Sequence, residues 1–388
     1  MSALKEQQRF KRRLLKKITM RSAASECVIG GPLLERERNR YLLSHQVQSA
    51  TRYDLWREAD GELSALARWR DAQSAPVVPM DYRRLRSGCV EWHSQPRKTS
   101  GFRKICRLTA IEKMWHVLAA DLVTAQHNPR CHIGDWRGRG REHQMEQLLD
   151  AIRSEWQGVV VADIRRAFPS VNADAIYELH FLPDALVRMA IDYRTHRFVR
   201  RERSVAVPPY SGLSARDLEV APTGLMEGSP ASNAIFSVLL DDLPDHLGEE
   251  ITTFVYCDNI ILLAPSMLHA QRAENALVRY VTGHRAGPFE VRSEVQPVFR
   301  PFEHLGYSIQ VCDGAIRVGL STTNWLRFNQ KLEGAQINLN EAINWLRTSF
   351  PQLRDPAKSN LLQLALDEAA CRDFAKRGAT DQSCRSYP

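Results

Sequence analysis

Two acidic side chains sit where the surrounding sequence would fix them on strands. Ile251 to Pro265 reads ITTFVYCDNIILLAP, two apolar β-rich runs around a Cys-Asp-Asn corner. Thr252, Phe254, Val255 and Tyr256 before the corner and Ile260 to Leu263 after it have the composition of paired strands. Cys257, Asp258 and Asn259 are therefore expected as the tight turn of a β-hairpin. Asp258 becomes an exposed carboxylate held at a hairpin tip; the plain alternative is an ordinary Asp-Asn turn, since both residues favour turns. Upstream, GVVVADIRRAFPSV from Gly158 to Val171 is a short buried-strand pattern ending on Asp163, with Phe168 five residues later. Carboxylates fixed on rigid strands offer hard anionic oxygen, the ligand type that divalent cations take.

Between these stretches lies Ala221 to Ala231, APTGLMEGSPA, a Pro-x-Gly turn and a Gly-Ser-Pro turn before an apolar helical run from Asn233 to Leu240. The order resembles the polymerase palm of reverse transcriptases. Asp163 to Phe168 resembles motif A of that family, Pro222 to Pro230 motif B, Tyr256 to Asn259 the YxDD box of motif C, and FEHLGY from Phe302 to Tyr307 the primer grip. The likeness extends upstream through Gln95 to Ile105 and His132 to Arg139, so it spans residues 95 to 310.

The resemblance implies an α+β right-hand polymerase: fingers, a ferredoxin-like antiparallel palm and a helical thumb. It implies an RNA-directed DNA polymerase of the compact bacterial type, as in retron, defence-associated and group II intron-like enzymes, acting on an RNA template, a DNA or RNA primer and dNTPs. A dedicated non-coding RNA and an antiviral defence role fit the same type. Phosphoryl transfer by two Mg²⁺ ions about 3.5 to 4 Å apart needs bridging anionic ligands, and Asp163 and Asp258 are the expected pair, with the backbone oxygen of Ile164 completing one shell. Mn²⁺ is an expected substitute. Phe168 matches the steric gate that excludes a ribose 2′-OH. Arg97, Lys98 and Arg103, around a Thr-Ser-Gly turn, match the cations that grip the incoming triphosphate, with Arg103 the better match. Gly224 would lie under the nascent base pair with Thr223 near the incoming nucleotide, and Arg137, Arg139 and Arg141 would contact the template, their glycine neighbours allowing close backbone approach. Gly306 and Tyr307 would touch the primer.

Three departures from the family pattern stand out. Asn259 replaces the second Asp of YxDD; it is neutral but can still offer an oxygen to a metal. Thr223 stands where many relatives carry Gln. Around residues 290 to 296 there is Glu294 and one nearby cation, Arg292, where many relatives carry a lysine, so a proton donor to pyrophosphate is unassigned. Two other readings therefore stay open: an untemplated or protein-primed polymerase of a phage-defence system, and a catalytically dead RNA-binding scaffold.

Composition agrees with a globular chain of two or three domains. Across 388 residues, 44% are hydrophobic and 25% charged, and 53 Lys+Arg against 45 Asp+Glu leave +8, an excess suited to a polyanionic partner. Eight cysteines without a CxxC pair point to neither a zinc site nor a disulfide framework, which suits a reducing cytoplasm. No apolar run approaches the about 20 residues that span a bilayer, and no signal-type core follows the basic start, so the chain is expected to be soluble and unprocessed.

In chain order, residues 1–74 are expected as a basic helical extension. KEQQRFKRRLLKKITMR, residues 5 to 21, holds eight basic side chains with Leu4, Phe10, Leu14 and Ile18 near helical spacing, either contacting phosphates or docking by its apolar edge. A helical stretch from Glu35 to Gln73 carries Trp56, Leu63, Leu66 and Trp69 as core contacts. Residues 75–157 are the fingers, with an amphipathic helix over Ile111 to Thr124; 158–311 the palm; 312–377 the thumb, with a helix over 321 to 350 and a second over 357 to 376; and 378–388 a disordered tail. The basic run RTHRFVRRER, 194 to 203, is open between duplex contact and a solvated face. No room is left for a nuclease or maturase domain, and no internal repeat is visible.

Overall fold

The computed structural model describes residues 2–24, 31–58, 80–96, 102–152, 156–201, 220–312, 314–333 and 339–354. The thumb's second helix, the C-terminal tail, the hairpin tip with Arg97 and Lys98, and Leu63, Leu66 and Trp69 lie outside the described residues. The chain is mixed α+β. Its principal elements are α1 (Ser2–Ala24), α2 (Pro32–Leu42), α3 (His45–Glu58), β1 (Cys89–Pro96), β2 (Phe102–Arg107), α4 (Ala110–Gln126), α5 (Arg141–Ala151), β3 (Gly158–Arg165), α6 (Ala173–Glu178), β4 (Arg197–Arg200), α7 (Pro230–Leu239), α8 (Leu243–Leu247), β5 (Thr252–Tyr256), β6 (Asn259–Ala264), α9 (Met267–Thr282), β7 (Glu290–Pro297), β8 (Phe302–His304), β9 (Tyr307–Cys312), β10 (Ala315–Leu320), α10 (Thr322–Glu333) and α11 (Leu339–Ser349). Contacts divide the chain into two compact units: Met1–Cys131, Ile164–Asp242 and Tyr280–Glu290 in the first; His132–Asp163, Leu243–Arg279 and Val291–Pro388 in the second.

In the first unit, α4 is set by its start. Thr109 Oγ1 accepts from the Glu112 backbone N–H at 3.3 Å while the Glu112 carboxylate accepts from the Thr109 N–H at 2.7 Å, a reciprocal cap that satisfies two otherwise orphaned donors. Met114, Trp115, Leu118 and Leu122, spaced at helical periodicity, are then buried. The basic run of α1 is sorted by the same packing. Leu14 and Ile18 are buried, and Lys11 turns inward to pair with Asp121 at 2.8 Å, where Tyr41 also donates to that carboxylate at 2.7 Å. Lys5, Arg9, Arg12, Arg13, Lys16 and Lys17 stay exposed. Within the described part of the helical stretch expected from Glu35, Ser44 separates α2 from α3: its hydroxyl accepts from the Val47 N–H at 3.4 Å and its carbonyl from the Gln48 N–H at 3.0 Å, starting α3 afresh.

A three-stranded sheet of order β2-β1-β4 completes this unit; β1 and β2 are antiparallel and β4 runs parallel to β1. Part of the basic run at 194 to 203 is thus a sheet edge. Arg194 is held by Asp192 and Asp174, which raise its pKa, and Arg200 lies over the Trp92 ring.

The second unit holds the sheet of order β5-β6-β3-β7, with β6 antiparallel to both its neighbours. Ile260 to Ala264 of β6 have no exposed surface, which is why this strand reads as an unbroken apolar run. A second sheet, β10-β9-β8, is antiparallel throughout, so residue 312, expected as the start of the thumb, is the last residue of β9. Its inward side chains Phe302, Tyr307 and Ile309 share a core with Met145 and Leu148 of α5 and with Phe328 and Leu346 of α10 and α11. The helix expected over 321 to 350 is described as these two helices, Thr322–Glu333 and Leu339–Ser349. Trp325, Phe328 and Trp345 form a stacked series, at centroid separations of 5.9 and 6.2 Å. Among the described residues, no helix is long and apolar enough to cross a membrane.

Two fully buried histidines couple this fold to pH. His116, whose Nδ1 lies 2.6 Å from Ser229 Oγ, is brought down to about 3 by burial, with His196 adding to the shift; burial alone brings His304 to about 3. Unfolded histidine titrates near about 6.5. Stability from keeping both neutral is therefore complete above that value and is lost as pH falls from about 6.5 towards about 3, with a slope of up to about 1.4 kcal/mol per pH unit for each residue. Melting temperature is expected to fall steeply between about pH 6.5 and 4.5, and His304→Leu should flatten the fall. An equal slope in that variant would contradict the assignment.

Candidate active site

The β5–β6 hairpin is tighter than its sequence suggests. Tyr256 pairs with Asn259, so the turn is Cys257-Asp258 alone, and Asn259 is the first residue of β6 and not part of the turn. On its other side, Asn259 is the register partner of Asp163, the last pair of the β3–β6 ladder. Asp163 thus stands at the end of β3 opposite Asn259, and Asp258 is the turn residue immediately before Asn259. Asp163 is exposed and Asp258 half-buried, and the Asn259 side-chain amide donates to Asp258 Oδ1 at 2.9 Å. Ile164 follows with its side chain fully buried.

Cys257 adopts φ +53°, unusual for a residue with a side chain. Its thiol donates to Asp135 Oδ2 at 3.0 Å. Asp135 belongs to the segment that bridges Ile133 to Val255, through Val255 N–H to His132 O and Gly134 N–H to Val255 O, both 2.8 Å. Gln144, with no exposed surface, reinforces this by donating to Val255 O at 2.9 Å. Neither Asp135 nor Gln144 was expected at the site; the signal for Asp135 was a lone acid in an arginine-glycine stretch. Burial, then Cys257 and Asp135, push the Tyr256 hydroxyl above its ordinary pKa.

The expected nucleic-acid contacts separate into three groups. Arg137 is exposed. Arg139 turns back to donate to Ile133 O at 2.8 Å, and Arg141 is engaged by Glu142, by the Ser349 carbonyl and by the rings of Tyr307 and Phe350. Tyr307, expected at the primer, has no exposed surface, and its hydroxyl donates to Glu142 at 2.7 Å. Gly306, at φ +88°, makes the β8–β9 turn, its carbonyl accepting from Asn324 and from the Ser321 N–H. Arg292 and Glu294 are both exposed on β7.

In the first unit, the loop before α7 is fastened to the turn after β3. Leu225 N–H donates to Phe168 O at 2.8 Å and Thr223 Oγ1 to Pro169 O at 2.9 Å, so the Thr223 hydroxyl expected near a nucleotide is committed to this internal contact. Cys106 N–H donates to Glu227 O at 2.8 Å, linking the loop to β2, where Arg103 is exposed. Ser229 caps α7 by accepting from the Ala231 N–H. Phe168 is half-buried, its ring set T-shaped to that of Phe236 at a centroid separation of 5.4 Å.

Asp163, Asp258 and Asn259 offer two carboxylates and an amide oxygen, a donor chemistry that would fit Mg²⁺ or Mn²⁺ better than a nitrogen- or sulfur-seeking ion. Among the described residues there is no cluster of three His, Cys, Asp or Glu side chains, so further oxygens would come from backbone, water or substrate.

No protein-family model and no curated protein matches the sequence. Among solved structures, the chain is similar to telomerase from Candida albicans, determined in complex with a TWJ fragment of telomeric RNA, at 11% identity and a TM-score of 0.45. The match covers 80% of this chain and 57% of that one, so the chain spans a little over half of its length.

Gly224 gives the loop its sharpest test. At φ +65°, a methyl group there would lie 2.1 Å from Phe168 O and 2.8 Å from Pro169 O, both backbone atoms that cannot swing aside. Gly138, at φ +83°, has nothing within 4 Å. Gly138→Ala is expected to cost about 1 kcal/mol for its backbone conformation, and Gly224→Ala about 2 to 4 kcal/mol because the clash adds to it. Urea denaturation checks this; equal costs would contradict the close approach.

Proposed function

We propose that this chain is an RNA-directed DNA polymerase that extends a primer with dNTPs by phosphoryl transfer at Asp163 and Asp258. The observation that carries the reading is the Asp163–Asn259 register pair, which brings the strand-end carboxylate of Asp163 opposite the residue that follows Asp258 in the hairpin turn. Motifs A, B and C in family order, and the fastening of Leu225 and Gly224 onto Phe168 and Pro169, support it.

In this reading Asp163 and Asp258 are the metal ligands, with the Ile164 carbonyl as an additional donor. Bound Mg²⁺ ions would neutralise charge developing on the phosphates and lower the pKa of the primer hydroxyl. Asn259 orients Asp258 through its amide hydrogen bond and leaves that carboxylate its full charge. Because Asn259 adds no charge, the pair holds cations more loosely than two neighbouring aspartates would. Phe168, five residues past Asp163 along the chain, is the steric gate of this reading, the ring that disfavours a 2′-OH. Arg103, with Arg97 and Lys98, holds the triphosphate, and Arg137 approaches template phosphates. The RNA template, the primer, any dedicated RNA and a defence role belong to this proposal.

The test is extension of an RNA-templated primer, with a no-template control. Template-dependent dNTP addition is expected, lost by at least a hundredfold in Asp163→Ala and in Asp258→Ala, since an unseated cation removes several kcal/mol of transition-state stabilisation. Phe168→Ala should narrow the dNTP-to-rNTP preference. Addition without template would favour untemplated synthesis, and no incorporation with either nucleotide set in either metal would favour an RNA-binding scaffold.

A further inference from the structure

A cavity of about 510 Å³ opens in the first unit between α2, the turn at 82–83 and residues 180–185. This lies within the range of about 300 to 1,000 Å³ typical of small-molecule sites. Arg38 lines it although only 6% of its surface is exposed. Its Nε, at 2.6 Å, and its Nη2 both donate to Gln126 Oε1, a neutral acceptor. Gln126 is itself fixed by donating to the carbonyls of Leu122 and Phe181, each at 2.8 Å. Burial pulls the Arg38 pKa below its ordinary value, and Glu35 offsets this in part through space. Among the described residues the guanidinium contacts an amide and no carboxylate, with Glu35 acting only through space; a buried cation so placed has lost water without a contacting anion, which is costly unless a ligand supplies one.

The other walls narrow the ligand's chemistry. Arg83 is already neutralised by a forked pair of bonds to Asp81, both 2.8 Å. Glu35 and Asp184 also face the cavity and would repel a polyanion, but they accept hydrogen bonds from hydroxyl or amino groups. Tyr82, tied by its hydroxyl to Asn39 at 2.7 Å, and the Leu182-Pro183 pair add apolar faces. A ligand with one anionic group, several O–H and N–H donors and a flat ring answers all of these. We propose that this cavity binds a nucleoside monophosphate unit, its phosphate on Arg38 and its ribose or base donors on Glu35 and Asp184. With Nε and one Nη2 hydrogen on Gln126, the guanidinium keeps its Nη1 hydrogens and the second Nη2 hydrogen, an end-on fork that suits phosphate oxygens. The unit could be a free nucleotide or the 5′-phosphorylated end of an RNA.

The test is titration calorimetry on the full chain in EDTA, which removes any binding that needs a divalent cation and so separates this site from the carboxylate pair. The probes are AMP, adenosine, inorganic phosphate, and a trinucleotide RNA with and without a 5′-phosphate. AMP is expected to bind saturably, and adenosine and phosphate at least tenfold more weakly. Arg38→Met should weaken AMP at least tenfold. Ala185→Phe, which fills the cavity from its half-buried rim and leaves Arg38 in place, should abolish binding, and it decides the matter if Arg38→Met does not fold. Tighter binding of the 5′-phosphorylated RNA than of AMP would assign the site to an RNA end, and the reverse to a free nucleotide. No binding of either, equal affinity for adenosine and AMP, or unchanged binding in Ala185→Phe would overturn the proposal.

Discussion

The pairing of Asp163 with Asn259 is the constraint on which the carboxylate geometry depends. Side chains alternate along a strand, so a slip of one residue between β3 and β6 would exchange the buried and exposed faces of one strand relative to the other. That slip is prevented by burial. Ile260 to Ala264 are inaccessible to solvent, Val159, Val160, Ala162 and Ile164 are buried on the partner strand, and Asp163 and Arg165 are exposed. Each fully buried branched side chain contributes about 1.5 to 3 kcal/mol, so the apolar interior dictates where the acids stand. The two-residue turn at Cys257-Asp258 follows from the same register, and the Cys257–Asp135 and Gln144–Val255 bonds fix it from the neighbouring segment.

In the first unit the loop holding Thr223 to Gly228 has little regular structure of its own, yet its polar groups are consistently engaged. It reaches the Phe168-Pro169 backbone on one side and Cys106 on the other, while Ser232 Oγ donates to Met226 O at 2.8 Å. An irregular segment satisfied in this way is rigid without being a helix or a strand, and Gly224 is required because the Phe168-Pro169 backbone occupies the space of its missing side chain.

The hairpin and the buried β3 strand were legible because short apolar, β-branched runs need little context. The turn was read one residue too long: Asn favours turns locally, but pairing with Asp163, nearly a hundred residues earlier in the chain, draws Asn259 into the strand. The same limit explains Lys11. In the sequence it is one of eight cations; only Asp121 on α4 makes it an interior partner and leaves its neighbours outside. Tyr307 was expected at the primer from its motif alone, and it is buried because α5 and Phe350 converge on it. Local pattern identified which residues are strand-borne or helical, while burial of individual polar groups depended on partners far along the chain.

The central claim is that Asp163 and Asp258 act on one cation site together. Mn²⁺ titration of the full chain, following the free-ion signal by electron paramagnetic resonance, in the parent, Asp163→Ala, Asp258→Ala and the double variant, tests this directly. Joint ligation predicts that either single replacement removes most of the affinity and that the double variant loses no more than about threefold beyond either, the non-additivity expected of groups that act as a unit. Fold-losses that multiply in the double variant, or affinity unchanged in either single variant, would contradict it.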